Sequence, residues 1–268
     1  MTSFADIERD GWNDRAEVYA STTAQATTQA IPQLLSTVQP RFGTTLLDIC
    51  TGPGFAAGAA SAIGCKVTGI DFAASMVAEA AKGFPTCEFK TGDAQQLAFE
   101  DAQFDAAICN FGVFHFSEPE RAMREAARVL KPEGRYAWTQ WFGPDKSPFF
   151  ATVFKAVSSH ANMDVGLPEA PPPFRFSDLA VAKQAMNDAG FADVETTEVP
   201  IVLHAPAATF IEFFNKFSVR MTMILDRQES EVRARIQSEI AQGLAAFNVR
   251  GILELPIPAF VVSGHKET

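Results

Sequence analysis

From about residue 44 short β-rich apolar runs alternate with alanine-rich stretches, and this rhythm constrains the fold more than any other feature of the chain. Parallel strands joined by crossover helices produce such a pattern. It predicts strands at Thr45–Cys50, Lys66–Asp71, Thr86–Lys90, Ala106–Asn110 and Arg135–Trp141, with helices near Phe55–Ile63, Ala73–Lys82 and Pro119–Leu130. Runs such as LLDIC and DAAICN are apolar almost throughout, so both faces of the sheet are expected to be covered by helices. The crossovers are expected to be right-handed. The third helix opens on Pro119 with acidic neighbours and closes on Arg128 and Lys131 before Pro132, which suits the helix dipole at both ends.

After Trp141 the rhythm breaks. FGPDKSPFF and GLPEAPPPF are proline-rich and predict a loop-bearing insertion with at most short helices. SDLAVAKQAMNDAGF then reads as a helix capped by Ser177 and closed by Gly190, followed by the strand-like ADVETTEVPIVLH. Helical segments at Ala207–Leu225 and Glu229–Phe247 precede a last β-rich stretch, ILELPIPAFVVSG. A single domain follows, its core at about 40–143, 176–204 and 251–266 and its cap at about 1–39, 144–175 and 205–250.

No run approaches the roughly 18 apolar residues of a membrane span. The early charges of MTSFADIERDGWNDR are unlike a secretory signal, so a cytoplasmic location is the simplest reading. The four cysteines lack the paired spacing of a metal or redox motif, and no metal is expected. A net charge of −10 without a cluster of Lys and Arg argues against nucleic acid as a partner. Monomer and homodimer both remain open.

The chemistry is carried by the strand ends. The first strand runs into Asp48-Ile49-Cys50-Thr51-Gly52-Pro53-Gly54-Phe55, where glycine lets a ligand lie against the backbone and permits positive φ. Asp71 closes the second strand, where a carboxylate can accept from both hydroxyls of a ribose. Asp93 follows the third; its carboxylate can accept from an adenine amine while the Ala94 amide donates to the ring. These positions lie outside the carboxyl ends of the strands, where open parallel sheets bind ligands.

The stretches LLDICTGPGF, GIDFAASMV, TGDAQQLAFEDAQFDAAICNFGVFHF and REAARVLKPEGRYAWTQW resemble, in order and spacing, the class I S-adenosylmethionine-dependent methyltransferases, especially the small-molecule branch with the ubiquinone and menaquinone C-methyltransferases. The resemblance implies a Rossmann-like, doubly wound α/β fold. Its seven-stranded sheet would be mostly parallel, under a helical cap built from the N-terminus and insertions. It implies S-adenosylmethionine as cofactor and S-adenosylhomocysteine as product. Asp48, Gly52 and Gly54 would surround the methionine part, Asp71 would hold the ribose, and Phe72 and Met76 would pack near the adenosine. Asp93 and Ala94 would read the adenine edge, and Asn110 and Phe111 would line the methionine end. GWNDRAEVY resembles an N-terminal helix that closes over the cofactor, with Trp12 and Tyr19 as candidates; Tyr19 would donate to the cofactor carboxylate, the alternative being a helix-face aromatic packed on the cap. Phe55 stands where such families often carry a third glycine.

Transfer to an activated methyl group needs chiefly positioning and exclusion of water, and for some acceptors a base. His115, in FGVFHF just past the fourth strand, is the candidate base; the alternative for it is a loop-holding hydrogen bond. His160 and His204 belong to the insertions and read as surface groups, and His265 as structural. Phe142, Phe149, Phe150, Phe154, Phe210, Phe213, Phe214 and Phe217 make the cap aromatic, which suits a small hydrophobic acceptor collectively, although helical spacing favours core packing for each ring. A non-catalytic S-adenosylmethionine-binding protein is the alternative reading. An NAD(P)-dependent oxidoreductase is disfavoured, because Gly58 falls one residue late for that fingerprint.

Overall fold

The computed structural model describes residues 2–267. Strands β1 (Thr45–Ile49), β2 (Lys66–Asp71), β3 (Glu88–Thr91), β4 (Phe104–Cys109) and β5 (Leu130–Trp141) are parallel, and β6 (Phe191–Val199) and β10 (Ala259–Lys266) complete a seven-stranded sheet ordered β3-β2-β1-β4-β5-β10-β6. The strand β10 runs antiparallel to both its neighbours. The order reverses between β1 and β4, so their carboxyl ends flank the crevice of a doubly wound sheet. The Rossmann-like expectation is met.

Helices α4 (Phe55–Ala62), α5 (Ala74–Gly83) and α6 (Pro119–Val129) are the three crossovers read from the sequence, displaced by a residue or so at their ends. Leu46, Leu47, Ile49, Ala107 and Ile108 are buried, as strands covered on both faces must be. The strand β5 begins five residues earlier than expected. Leu130 pairs with Phe104, and a register shift before Ala106↔Arg135 absorbs the Lys131–Gly134 turn.

Three expectations need correction. The proline-rich insertion holds a helix of 13 residues, α7 (Pro148–His160), because Pro148 stands at its first position, where proline is favoured, and the Ser147 hydroxyl accepts from the Phe150 amide. Helix α8 (Leu179–Asp188) is capped by Asp178 rather than Ser177: the carboxylate accepts from Ala180 and Val181, while Ser177 donates back to the Phe174 carbonyl. The segment expected as one helix over Ala207–Leu225 breaks at Ser218 into α9 (Phe210–Phe217) and α10 (Val219–Asp226). The break is sustained by tertiary partners, since Arg15 and Thr222 donate to the Asn215 carbonyl and Thr23 to that of Phe217.

Helices α1 (Phe4–Asn13), α2 (Ala24–Thr27) and α3 (Ile31–Val38) precede the sheet, and α11 (Ser230–Leu244) pairs with α7 in the cap. A second, three-stranded sheet joins β7 (Val202–Pro206), β9 (Ile252–Pro256) and β8 (Asn248–Val249). ADVETTEVPIVLH and ILELPIPAFVVSG are therefore each divided between two sheets. Among the described residues no helix is long and apolar enough to cross a membrane.

Candidate active site

The loop from β1 into α4 is built around positive φ. Cys50 sits at φ 59, Gly52 at φ 53 and Gly54 at φ 82. A Cβ on Gly54 would lie 3.0 Å from atoms of Ala80, Phe84 and Phe89, so glycine packs this turn against α5 and β3. A Cβ on Gly52 would meet nothing within 4 Å. Gly52 therefore offers its backbone to open space, the property a ligand-bearing turn requires.

Asp71, at the end of β2, ties this turn to the next loop by accepting the Gly52 amide at 2.9 Å and the Ala73 amide at 2.9 Å. It is 4 % exposed, and burial raises its carboxyl above the ordinary range. Asp48 is fully buried. Its Oδ2 accepts the Thr51 hydroxyl at 2.7 Å, while Oδ1 has no protein partner. Burial pushes the Asp48 carboxyl up to about 7, against the lowering effect of its Thr51 hydrogen bond. A buried carboxylate oxygen without a donor is costly. An ammonium group supplied by a ligand would satisfy it.

A cavity of about 300 Å³ opens beside Asp71, lined among others by Phe72, Asp93, Ala94 and His115; Asp48 lies outside its lining. Ala94 is buried; Asp93 is exposed and accepts the Gln95 amide at 2.8 Å. Acidic groups from β2 and the β3 loop thus share one enclosure with the half-buried Phe72. The helix α1 supplies Ala5 and Arg9 to the same wall. Met76 is placed apart from the cavity lining. It is buried with Trp12, Ala16 and Val219 where α1 and α10 meet α5.

At the ends of β4 and β5 a second group assembles. Phe111 adopts φ 56 and stacks on Trp141 with centroids 3.9 Å apart. Its amide donates to the buried Thr139 hydroxyl at 2.6 Å; that hydroxyl donates to Asn110 Oδ1 at 3.0 Å, and Asn110 Nδ2 donates to the Thr27 carbonyl at 3.1 Å. Tyr19 closes the chain, its hydroxyl 3.3 Å from Thr27 Oγ1 and its ring stacked on Phe55. Tyr19, Asn110 and Phe111 are thereby linked, and Phe55 serves as a ring platform.

His115 occupies the short turn Val113–His115 after β4, and its Nδ1 lies 2.7 Å from Glu8 Oε2 on α1. The other histidines lie elsewhere. His160 pairs with Glu239 within the cap, His204 is exposed on β7, and His265 faces Glu133 and Asp193 at the opposite end of the sheet. Sequence reasoning overlooked Glu8 and Thr139. Glu8 had a signal: it falls four residues after Phe4 and four before Trp12, on the buried stripe of α1.

The aromatic residues of the cap divide. Phe149, Phe210, Phe214 and Phe217 are buried against one another, the inward face of α9 meeting the start of α7. Phe142 packs on Phe260 in the core. Half-buried Phe150 meets the site end, edge-on to Trp141, while Phe154 packs on Phe174 and Phe213 on Phe210 and Phe217.

Comparison with known proteins agrees with this geometry. Residues 47–138 match the family model described as a methyltransferase domain. The uncharacterized methyltransferase YcgJ of Bacillus subtilis is 32% identical over 139 residues, 50% of this chain and 55% of its own. In its crystal structure it aligns with a TM-score of 0.60 at 22% identity, over 90% of this chain and 99% of that one. Other solved neighbours of the same fold hold S-adenosylhomocysteine or S-adenosylmethionine. This chain spans about half the length of the curated relatives first matched. Nocamycin O-methyltransferase of Saccharothrix syringae aligns over 93% of this chain and 95% of its own at 28% identity. Demethylmenaquinone methyltransferase of Clavibacter sepedonicus is 30% identical over 59% of this chain and 69% of its own length. With the strand order, the glycine turn and the matched core in agreement, this chain belongs to the S-adenosylmethionine-dependent methyltransferase family.

Proposed function

We propose that the protein transfers the methyl group of S-adenosylmethionine to a small, apolar acceptor. The observation that carries this reading is the buried Asp48 with an unpartnered oxygen beneath a glycine turn whose missing side chain would point into open space. It suits a ligand with an ammonium group near β1 and a ribose near Asp71.

When bound, the cofactor supplies a methyl carbon already activated by its sulfonium. Asp48 would accept from the amino group, Asp71 would orient the ribose hydroxyls, and Asp93 with the Ala94 amide would read the adenine. Phe72 would cover the adenosine from the cavity wall. The linked Tyr19, Asn110 and Phe111 would border the methionine end. Positioning and exclusion of water then account for most of the acceleration, and a phenolic or quinol acceptor must also give up its proton to a base or to solvent as the methyl group is transferred. The Phe111–Trp141 stack and Phe150 present an apolar approach to that end, which supports an aromatic or otherwise hydrophobic acceptor over a charged one. The Glu8 contact on Nδ1 both holds the loop and leaves His115 Nε2 unengaged, so His115 stays the candidate base should the acceptor need one.

Calorimetric titration with S-adenosylmethionine, S-adenosylhomocysteine and NAD tests the cofactor assignment. The two sulfur ligands are expected to bind wild type and to lose at least ten-fold in affinity in Asp71→Ala; binding of NAD alone overturns the reading. Product formation with phenolic or quinol acceptors, and none with any acceptor tried, separate an enzyme from a binding protein.

A further inference from the structure

A carboxylate on the buried face of an amphipathic helix is an expensive placement unless a specific partner uses it. Glu8 is such a group: it is 2 % exposed and lies in the stripe of Phe4, Gly11 and Trp12 that α1 turns toward the rest of the molecule. Its partner is His115, 107 residues away on the loop after β4. The His115 side chain is 18% exposed, and Trp12 stands edge-on to its ring with centroids 5.2 Å apart. His115 also lines the cavity that holds Asp71, and it lies close enough to Asp71 to oppose the upward pull of burial on that carboxyl.

The register of α1 gives this pair its purpose. Ala5 and Arg9, three residues before and one after Glu8, face the cavity while Glu8 itself reaches across to the β4 loop. Asn13 Oδ1 accepts the Ser75 amide in the first turn of α5, Gly11 rests on Val219 of α10 and Trp12 packs with Met76, contacts that lie toward the C-terminal end of the helix. Glu8 is the polar tie nearest the part of α1 that walls the cavity. The contact between Nδ1 and Glu8 fixes the orientation of the ring at the cavity wall.

We propose that Glu8 is a positioning residue of the cofactor site, holding His115 and the first turns of α1 as a closed wall over the adenosine cavity, so that ligand release requires this tie to break. The inference rests on the cofactor reading above.

Stopped-flow measurement of S-adenosylhomocysteine release, followed by tryptophan fluorescence, tests it on the full chain, with melting temperature recorded for each variant. Glu8→Met fills a similar volume without an acceptor, and an apolar replacement of a buried charged partner is compatible with an unchanged or higher melting temperature. Its release rate is expected to rise roughly ten-fold, the scale of one hydrogen bond to a charged group. Glu8→Gln keeps a carbonyl acceptor for His115 and is expected to restore most of the wild-type rate. His115→Phe should match Glu8→Met, and serves in its place should that variant not fold. A folded Glu8→Met or His115→Phe that releases at the wild-type rate overturns the proposal. Failure of the wild-type protein to bind S-adenosylhomocysteine instead overturns the cofactor reading.

Discussion

Asp48 couples the stability of the fold to proton concentration. Its folded-state pKa of about 7 stands above the ordinary value of 3.8. Between those values the folded chain retains a proton that the unfolded chain has released. The stability this contributes is complete below about pH 4 and is lost as pH rises toward 7, by linkage at up to about 1.4 kcal/mol per pH unit. In the ligand-free protein, Asp48→Asn is expected to flatten that part of the melting temperature–pH curve, measured by differential scanning calorimetry. A bound ammonium beside Asp48 would favour its ionised form. Titration at pH 6 in buffers of different ionisation enthalpy should therefore show a proton released on cofactor binding, and Asp48→Asn should release none.

At the scale of elements, the two glycines of the β1–α4 turn are expected to fail differently. Gly54→Ala meets three neighbouring atoms at 3.0 Å from a left-handed residue, and should cost on the order of 2 kcal/mol in thermal or urea unfolding. Gly52→Ala meets nothing, so the conformational penalty alone, about 1 kcal/mol, should appear in stability. Its methyl group would occupy the approach to the cofactor, and calorimetric affinity should fall ten-fold or more. The same elements show what was legible in sequence. LLDIC and DAAICN identified their strands because a strand buried on both faces must be apolar almost throughout. Asp71 and Asp93 could be placed because strand ends of an open sheet are where ligands gather. Glu8 showed its place on the buried stripe of α1 but not its partner, and Thr139 neither, since those partners lie 107 and 28–29 residues away in the chain. The break at Ser218 was equally hidden: residues 207–225 are periodic enough for one helix, and it is Arg15 and Thr23, from another part of the chain, that take the carbonyls the break releases.

For the molecule as a whole, the cap is joined to the sheet through aromatic contacts. Phe149 is 1 % exposed and meets Phe210, Phe214 and Phe217 from α9, while its neighbour Phe150 reaches Trp141 at the end of β5. Truncating Phe149→Ala leaves a large void among rings and is expected to cost about 3–5 kcal/mol, read as a lower urea midpoint. The cap was the part least open to sequence reading. Its rings have the helical spacing of a core face and the composition of a ligand pocket at once, and only their mutual burial separates the two.

The position of β10 between β5 and β6 sets an order of events during synthesis. β6 emerges from the ribosome with its partner still unmade, and α9, α10 and α11 must all be produced before residues 259–266 arrive to pair with it. The parallel strands β1 to β5, which carry the glycine turn and the acidic strand ends, have all their mutual partners much sooner. A nascent chain can thus assemble the half with the glycine turn and the acidic strand ends early, while β5 and β6 present open edges of the kind that chaperones and aggregation both exploit.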